Sequence, residues 1–231
     1  MAGINVREWG SGDRAAVLIH GLGNSSTSWW EVGPEFAERG FHVYAVDLPG
    51  HGASAPASEY TVQALVDAVV SAVPSKPAVA VGHSLGGLVL AHAVTTLQPG
   101  HAVYVDPAFR VSADQAIVGS FRAQKDWTLS DVETAFPRWS SRSHELKLEA
   151  LRQWDPAILD ALATLPAADV STAAVPSTLV LADPSALIPP HRAAELEVAG
   201  FEVRVVPGTG HVVHLDDRDG FLAAIKDVIA R

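Results

Sequence analysis

One stretch constrains this chain more than any other: Val79-Ala80-Val81-Gly82-His83-Ser84-Leu85-Gly86-Gly87-Leu88-Val89-Leu90. An apolar run of strand type stops at a glycine. A serine follows between small residues, and an apolar run of helix type begins at once. Gly-x-Ser-x-Gly between a strand and a helix is the signature of a nucleophile elbow. Glycines are needed on both sides of the turn because a Cβ there would collide with neighbouring backbone. The turn lifts the Ser84 hydroxyl above the sheet, and the start of the helix aims free N–H groups, that of Leu85 among them, at negative charge developing there.

The rest of the chain must supply a sheet for that turn to stand on. With 231 residues, 48% of them hydrophobic, it can build one full-sized core of α/β type. The formal net charge is -10 and no Lys/Arg run is present, which argues against a nucleic-acid partner. The absence of cysteine excludes disulfides, thiolate metal sites and cysteine nucleophiles. The first residues lack a basic segment followed by an apolar one, and no apolar run approaches a membrane span. The expectation is a cytoplasmic protein that does not engage membranes.

In chain order, short apolar runs alternate with segments of helical period. Strands are expected at 4–9, 15–19, 41–46, 78–81, 101–105, 177–182 and 201–206. Helices are expected at 28–39, 60–73, 85–96, 191–199 and 219–230. Continuous apolar runs such as Ala15-Ala16-Val17-Leu18-Ile19 belong to strands covered on both faces. The alternation predicts about seven mostly parallel strands with helices between them. It lapses between about 109 and 169, where helices are expected at 113–121, 129–136, 143–154 and 156–164. This divides the chain into a core, 1–108 and 171–231, and a helical cap, 109–170. Three of the six tryptophans, Trp127, Trp139 and Trp154, lie in the cap and are expected to give it at least one pocket-lining side chain.

Ser84 requires a base, and the base an orienting acid. Of ten histidines, only His211 sits in a glycine-bearing loop after the last strand, at the face where Ser84 emerges. The order serine, acid, histidine also suits the elbow architecture. Two strand-end carboxylates compete for the third role, Asp106 after strand 101–105 and Asp183 after strand 177–182. Asp47 lies in its own turn, Asp47-Leu48-Pro49-Gly50-His51-Gly52-Ala53-Ser54. The loop His20-Gly21-Leu22-Gly23 ends another buried strand, and the Leu22 N–H is the expected second donor for an oxyanion.

The elbow, the Asp47–Ser54 turn and the His20–Gly23 loop, with Gly210-His211, resemble the α/β-hydrolase superfamily over nearly the whole chain outside the cap. The resemblance implies a three-layer α/β-hydrolase fold with a small lid, in the manner of esterases, lactonases and carbon–carbon bond hydrolases. In most members the loop after the penultimate strand reads roughly Gly-x-x-Asp-x-x-x-Pro. Here it reads Ala182-Asp183-Pro184-Ser185-Ala186-Leu187-Ile188-Pro189, so the acid position falls on Ser185. A second arrangement in the superfamily, that of haloalkane dehalogenases, has the acid after the strand that follows the nucleophile strand. Asp106 stands there. Asp106 is therefore the preferred acid and Asp183 the alternative.

The expected activity is a serine hydrolase acting on a medium-sized carboxylic ester, lactone or thioester with a mostly apolar acyl or alcohol part, through an acyl-enzyme on Ser84. Leu22, Trp29 and Phe109 are expected beside the reacting bond. Arg110, Arg122 or Lys125 would serve an anionic substrate. No metal-ligand cluster and no dinucleotide fingerprint is present, so neither metal nor cofactor is expected. Two other readings remain open on this scaffold, a carbon–carbon bond hydrolase or lyase, and a ligand receptor without turnover. The oligomeric state is left open.

Overall fold

The computed structural model describes residues 3–111 and 114–230. Seven strands form one sheet in the order β1-β3-β2-β4-β5-β6-β7. They are β1 (Val6–Trp9), β2 (Arg14–Ile19), β3 (Phe41–Val46), β4 (Val79–His83), β5 (His101–Val105), β6 (Ser177–Leu181) and β7 (Phe201–Val205). Only β1 runs antiparallel to its neighbour β3; every other pairing is parallel. Parallel strands need crossovers, and the chain supplies α1 (Val32–Glu38), α2 (Val62–Ala72) and α3 (Leu85–Leu97). Between β5 and β6 come α4 (Gln115–Ala123), α5 (Leu129–Ala135), α6 (Ser141–Gln153) and α7 (Ile158–Ala161). The chain then adds α8 (Pro190–Val198) and three short helices, α9 (Val213–Asp216), α10 (Arg218–Ala224) and α11 (Lys226–Ile229).

Side chains alternate across a strand, so the apolar runs feed two cores. Val17, Ile19, Ala80 and Tyr104 pack with Leu65 of α2, Leu88 of α3 and cap residues such as Leu151 and Ile158. Ala16, Leu18, Val81 and Val103 pack on the other face with Phe36 of α1 and with Phe221 and Val228 from the C-terminal helices.

Several expected helices are divided in the structure; the segment 156–164 forms α7 and a 3-10 turn, Leu162–Thr164. The segment 28–39 divides into a 3-10 turn, Ser26–Trp29, and α1. Pro34 is the third residue of α1, a place where no intrahelical N–H is required, so the helix starts afresh just ahead of it. The expected helix 219–230 forms as α10 and α11 with a break at Ile225, and α9 precedes them. The expected start of a helix at Ala113 lies outside the described residues; the helix is seen from Gln115, capped by the Asp114 side chain on the Ile117 N–H. Among the described residues no helix is long and apolar enough to cross a membrane.

The register aligns the strand ends that matter. Ile19 lies opposite Gly82, and His83 opposite Val105. The loops after β2, β4 and β5 therefore emerge side by side, and the loop after β7 reaches the same edge.

Candidate active site

Ser84 follows β4 directly, with φ 52° and ψ -116°. A non-glycine residue at positive φ is strained by ~1–3 kcal/mol and persists only where its surroundings hold it. Here the Ser84 N–H donates to the Val105 carbonyl at 3.1 Å. Its own carbonyl accepts from the N–H groups of Gly87 and Ala108, at 2.9 and 3.0 Å. The elbow glycine is obligatory for a concrete reason: a Cβ on Gly86 would strike the Ile19 and His20 carbonyl oxygens. Leu85 is the first residue of α3, whose leading N–H groups have no intrahelical acceptor.

His211 lies on the loop after β7. Its Nδ1 and Asp106 Oδ2 are 2.6 Å apart. Asp106 is fully buried, and its other oxygen accepts the Ala182 N–H at 3.4 Å. With Nδ1 donating to a carboxylate, the neutral ring leaves its Nε2 lone pair free. Asp183 takes no part in this. It is exposed, and its carboxylate accepts the Gly208 N–H at 3.2 Å, bracing the loop that precedes His211. Ser185 Oγ accepts the Ile188 N–H.

The supporting loops are tied by buried polar groups. His20 Nε2 accepts the Leu48 N–H at 3.0 Å, so Nδ1 carries the proton and donates to the Gly21 carbonyl at 2.8 Å. Asp47 accepts from the N–H groups of Ser26 and Ala53 and from Asn5 Nδ2, which locks the turn after β3 against the loop after β2. His83 Nε2 donates to the His211 carbonyl at 3.0 Å, linking the elbow to the histidine loop. Asp216 holds the same loop through the Gly210 N–H at 2.5 Å.

Three buried histidines, His83, His214 and His51, are held neutral. Burial, reinforced by the neighbouring His211 and His214, pushes His83 well below its ordinary range. Burial and the proximity of His211 push His214 down to about 3, with its ring stacked on Trp29 at 4.0 Å. His51 falls to about 3 through burial and the nearness of His20. Below pH ~6.5 the unfolded chain protonates these rings while the folded one does not, so stability falls with pH through that window at up to ~1.4 kcal/mol per unit for each ring. Urea unfolding followed from pH 7 to 5 is expected to show this loss. His214→Phe, which keeps a ring against Trp29, is expected to flatten the slope by about one proton. An unchanged slope would remove His214 from the account.

A cavity of about 360 Å³ opens over Ser84 and His211, and Leu22, Phe136 and Lys147 are among its walls. A second, of about 300 Å³, has Phe121, Ile117, Leu162 and Leu187 among its walls. Leu22, Ser84, Phe121 and His211 border both.

The five aromatic residues expected here are placed elsewhere. Trp29 is fully buried in the core beneath the sheet edge, against His214. Phe109 packs on Tyr104 and Phe201. Trp154 is sequestered beside His51. Trp127 packs against Phe136. Trp139 stacks on Phe136 and donates its indole N–H to Asp216 Oδ1 at 2.7 Å. Phe109, Trp139 and Trp154 join cap to core, and the cavity walls come from Phe121 and Phe136 instead. The expected cations also divide. Arg122 pairs with exposed Asp160, and Lys125 donates to the Arg152 and Trp154 carbonyls. Arg110 borders the second cavity.

The residue that sequence reading missed is Lys147 on α6. It is only 6% exposed, and its Nζ donates to the Gly23 carbonyl and to Asn24 Oδ1, both at 3.0 Å. Burial lowers its pKa to about 7. On the helical period of α6 it follows Ser143, His144 and Leu146 on the buried face, the one available signal.

A seven-stranded, mostly parallel sheet carrying a serine elbow and a histidine loop at one edge defines an α/β hydrolase. The chain belongs to the alpha/beta hydrolase family, whose sequence pattern matches residues 16–224. It is 31% identical over 157 residues to the (E)-2-((N-methylformamido)methylene)succinate hydrolase of Acinetobacter baylyi, a match covering 64% of this chain and 59% of that protein's length. It is 26% identical to the N-formylmaleamate deformylase of Pseudomonas putida, over 96% of this chain and 90% of that one. The solved structure of E-2-(acetamidomethylene)succinate hydrolase superposes with a TM-score of 0.82 at 20% identity, over 99% of this chain and 95% of that one, a likeness of fold.

Proposed function

We infer that the protein is a serine hydrolase that cleaves a small carboxylic ester, lactone or thioester through an acyl-enzyme on Ser84. The observation that carries this reading is the 2.6 Å contact of His211 Nδ1 with buried Asp106, on a histidine that shares its cavities with the strained Ser84. Ser84 Oγ attacks the carbonyl carbon as His211 Nε2 takes its proton. The N–H groups of Leu22 and Leu85 receive the developing oxyanion, each donor typically worth ~3 kcal/mol in the transition state. The carbonyl–leaving-group bond breaks, and His211 returns the proton to the departing atom. Water, deprotonated by the same nitrogen, then releases the acid and restores Ser84.

The end-to-end likeness to N-formylmaleamate deformylase favours one further substrate class, an N-formyl amide, cleaved by the same acyl transfer. Rapid mixing with p-nitrophenyl esters is expected to give a burst of nitrophenol equal to the enzyme concentration, followed by a slower steady rate. A serine-directed phosphonate is expected to add to Ser84. Folded protein that neither labels nor turns over any ester or N-formyl amide would sink the hydrolase reading.

A further inference from the structure

Lys147 presents a problem of charge. Burying an ammonium group is costly unless a counter-charge or a full set of hydrogen bonds accompanies it. Lys147 sits on the cap helix α6, buried to 6% exposure, and borders the cavity above Ser84 and His211. Its two acceptors, the Gly23 carbonyl and Asn24 Oδ1, are neutral. Among the described residues no carboxylate lies within ion-pair distance of it. An ammonium group has three donors, so one is left for the cavity. The ring of Phe136, 6.0 Å from Nζ, excludes water from one side.

The other charges around the cavity sharpen this. Asp216 is committed to the Trp139 indole N–H and the Gly210 N–H. Arg138, exposed, stands on the same wall and adds a second positive charge at the rim. The second cavity, which shares Phe121, has Val111, Ile117, Leu162 and Leu187 in its wall and the exposed Arg110 at its border, and its apolar wall suits an apolar group. The scissile bond would lie between the two, over Ser84.

We propose that Lys147 is a carboxylate subsite, and that the substrate is an acyl compound with a free carboxylate on the Lys147 side of the reacting bond and an apolar group on the other. The proposal rests on the hydrolase reading of Ser84 and adds to it the missing counter-ion of a buried cation. Lys147 touches the substrate and selects it; the bond-breaking groups remain Ser84 and His211.

The test compares two esters of equal chain length, p-nitrophenyl valerate and mono-p-nitrophenyl glutarate, which differ in a terminal methyl against a terminal carboxylate. Wild type is expected to prefer the glutarate ester about tenfold or more in kcat/KM, the contribution of one charge-assisted hydrogen bond. Lys147→Gln keeps amide donors for the loop but removes the charge, and is expected to abolish the preference, the glutarate ester losing about tenfold or more in kcat/KM relative to the valerate ester. Lys147→Arg is expected to retain part of the preference. No preference in wild type, or an equal fall for both esters in the glutamine variant, would overturn the proposal and leave Lys147 a brace for the Gly23 loop. A second arm does not depend on turnover. Calorimetric titration of glutarate into Ser84→Ala is expected to show binding that Ser84→Ala/Lys147→Gln loses about tenfold or more. Lys147-dependent glutarate binding in a protein that takes no phosphonate label and turns over no ester or N-formyl amide keeps the subsite and ends the hydrolase reading. Turnover of both esters with no glutarate binding keeps the hydrolase reading and ends the subsite.

Discussion

Ser84→Ala is expected to lower kcat for p-nitrophenyl esters by about ten-thousandfold to a millionfold and to abolish phosphonate labelling. The proposed base and acid have no function without the nucleophile they serve, so the loss should approach that of removing the whole constellation. What remains would come from substrate binding and from the N–H groups of Leu22 and Leu85. The backbone at this position is strained for any side chain, with φ 52°. Alanine inherits that conformation and all the backbone hydrogen bonds of Ser84, including the one to the Val105 carbonyl. The fold is therefore expected to change by less than ~1 kcal/mol, which urea unfolding checks. A stable alanine variant within tenfold of the parent rate would remove Ser84 from the chemistry.

Asp106→Asn is expected to cost about ten-thousandfold in kcat while Asp183→Asn costs less than about tenfold. Asp106 is fully buried and makes one hydrogen bond to the Ala182 N–H and one to His211 Nδ1. An asparagine oxygen facing Ala182 turns the amide N–H toward His211. The ring then accepts at Nδ1 and carries its proton on Nε2, where it cannot take one from Ser84. Asparagine also tolerates the φ of 37° at this position, so the backbone gives no competing explanation. Asp183, exposed and bound to the Gly208 N–H, acts only on the stiffness of the histidine loop. Equal small losses in the two variants would break the assignment of Asp106.

The strand pattern was legible because a parallel sheet covered on both faces demands continuous apolar runs, and the runs ending at Ile19, Val46 and Val105 are strand ends in the structure as well. The elbow was legible because its glycines answer to local collisions, as at Gly86. The cavity walls were not. A tryptophan in a cap helix reads alike whether it lines a pocket or joins cap to core, and the difference rests on partners distant in the chain. Trp139 is turned by Asp216, 77 residues away, and Trp154 lies against His51, far back in the chain. Lys147 was hidden for a related reason: lysine on a helix ordinarily reaches solvent, and only the approach of the loop after β2 buries it.

Thus the sequence by itself determined the α/β class, the serine turn, the position of His211 at a strand end and the candidacy of two carboxylates, because each depends on local period, local sterics or chain order. Which carboxylate meets His211, which side chains wall the cavities and where a lysine is buried beside them were decided by the tertiary structure alone. Those outcomes depend on distances between segments far apart in the chain, and hydrogen bonds and ion pairs act over only a few ångströms.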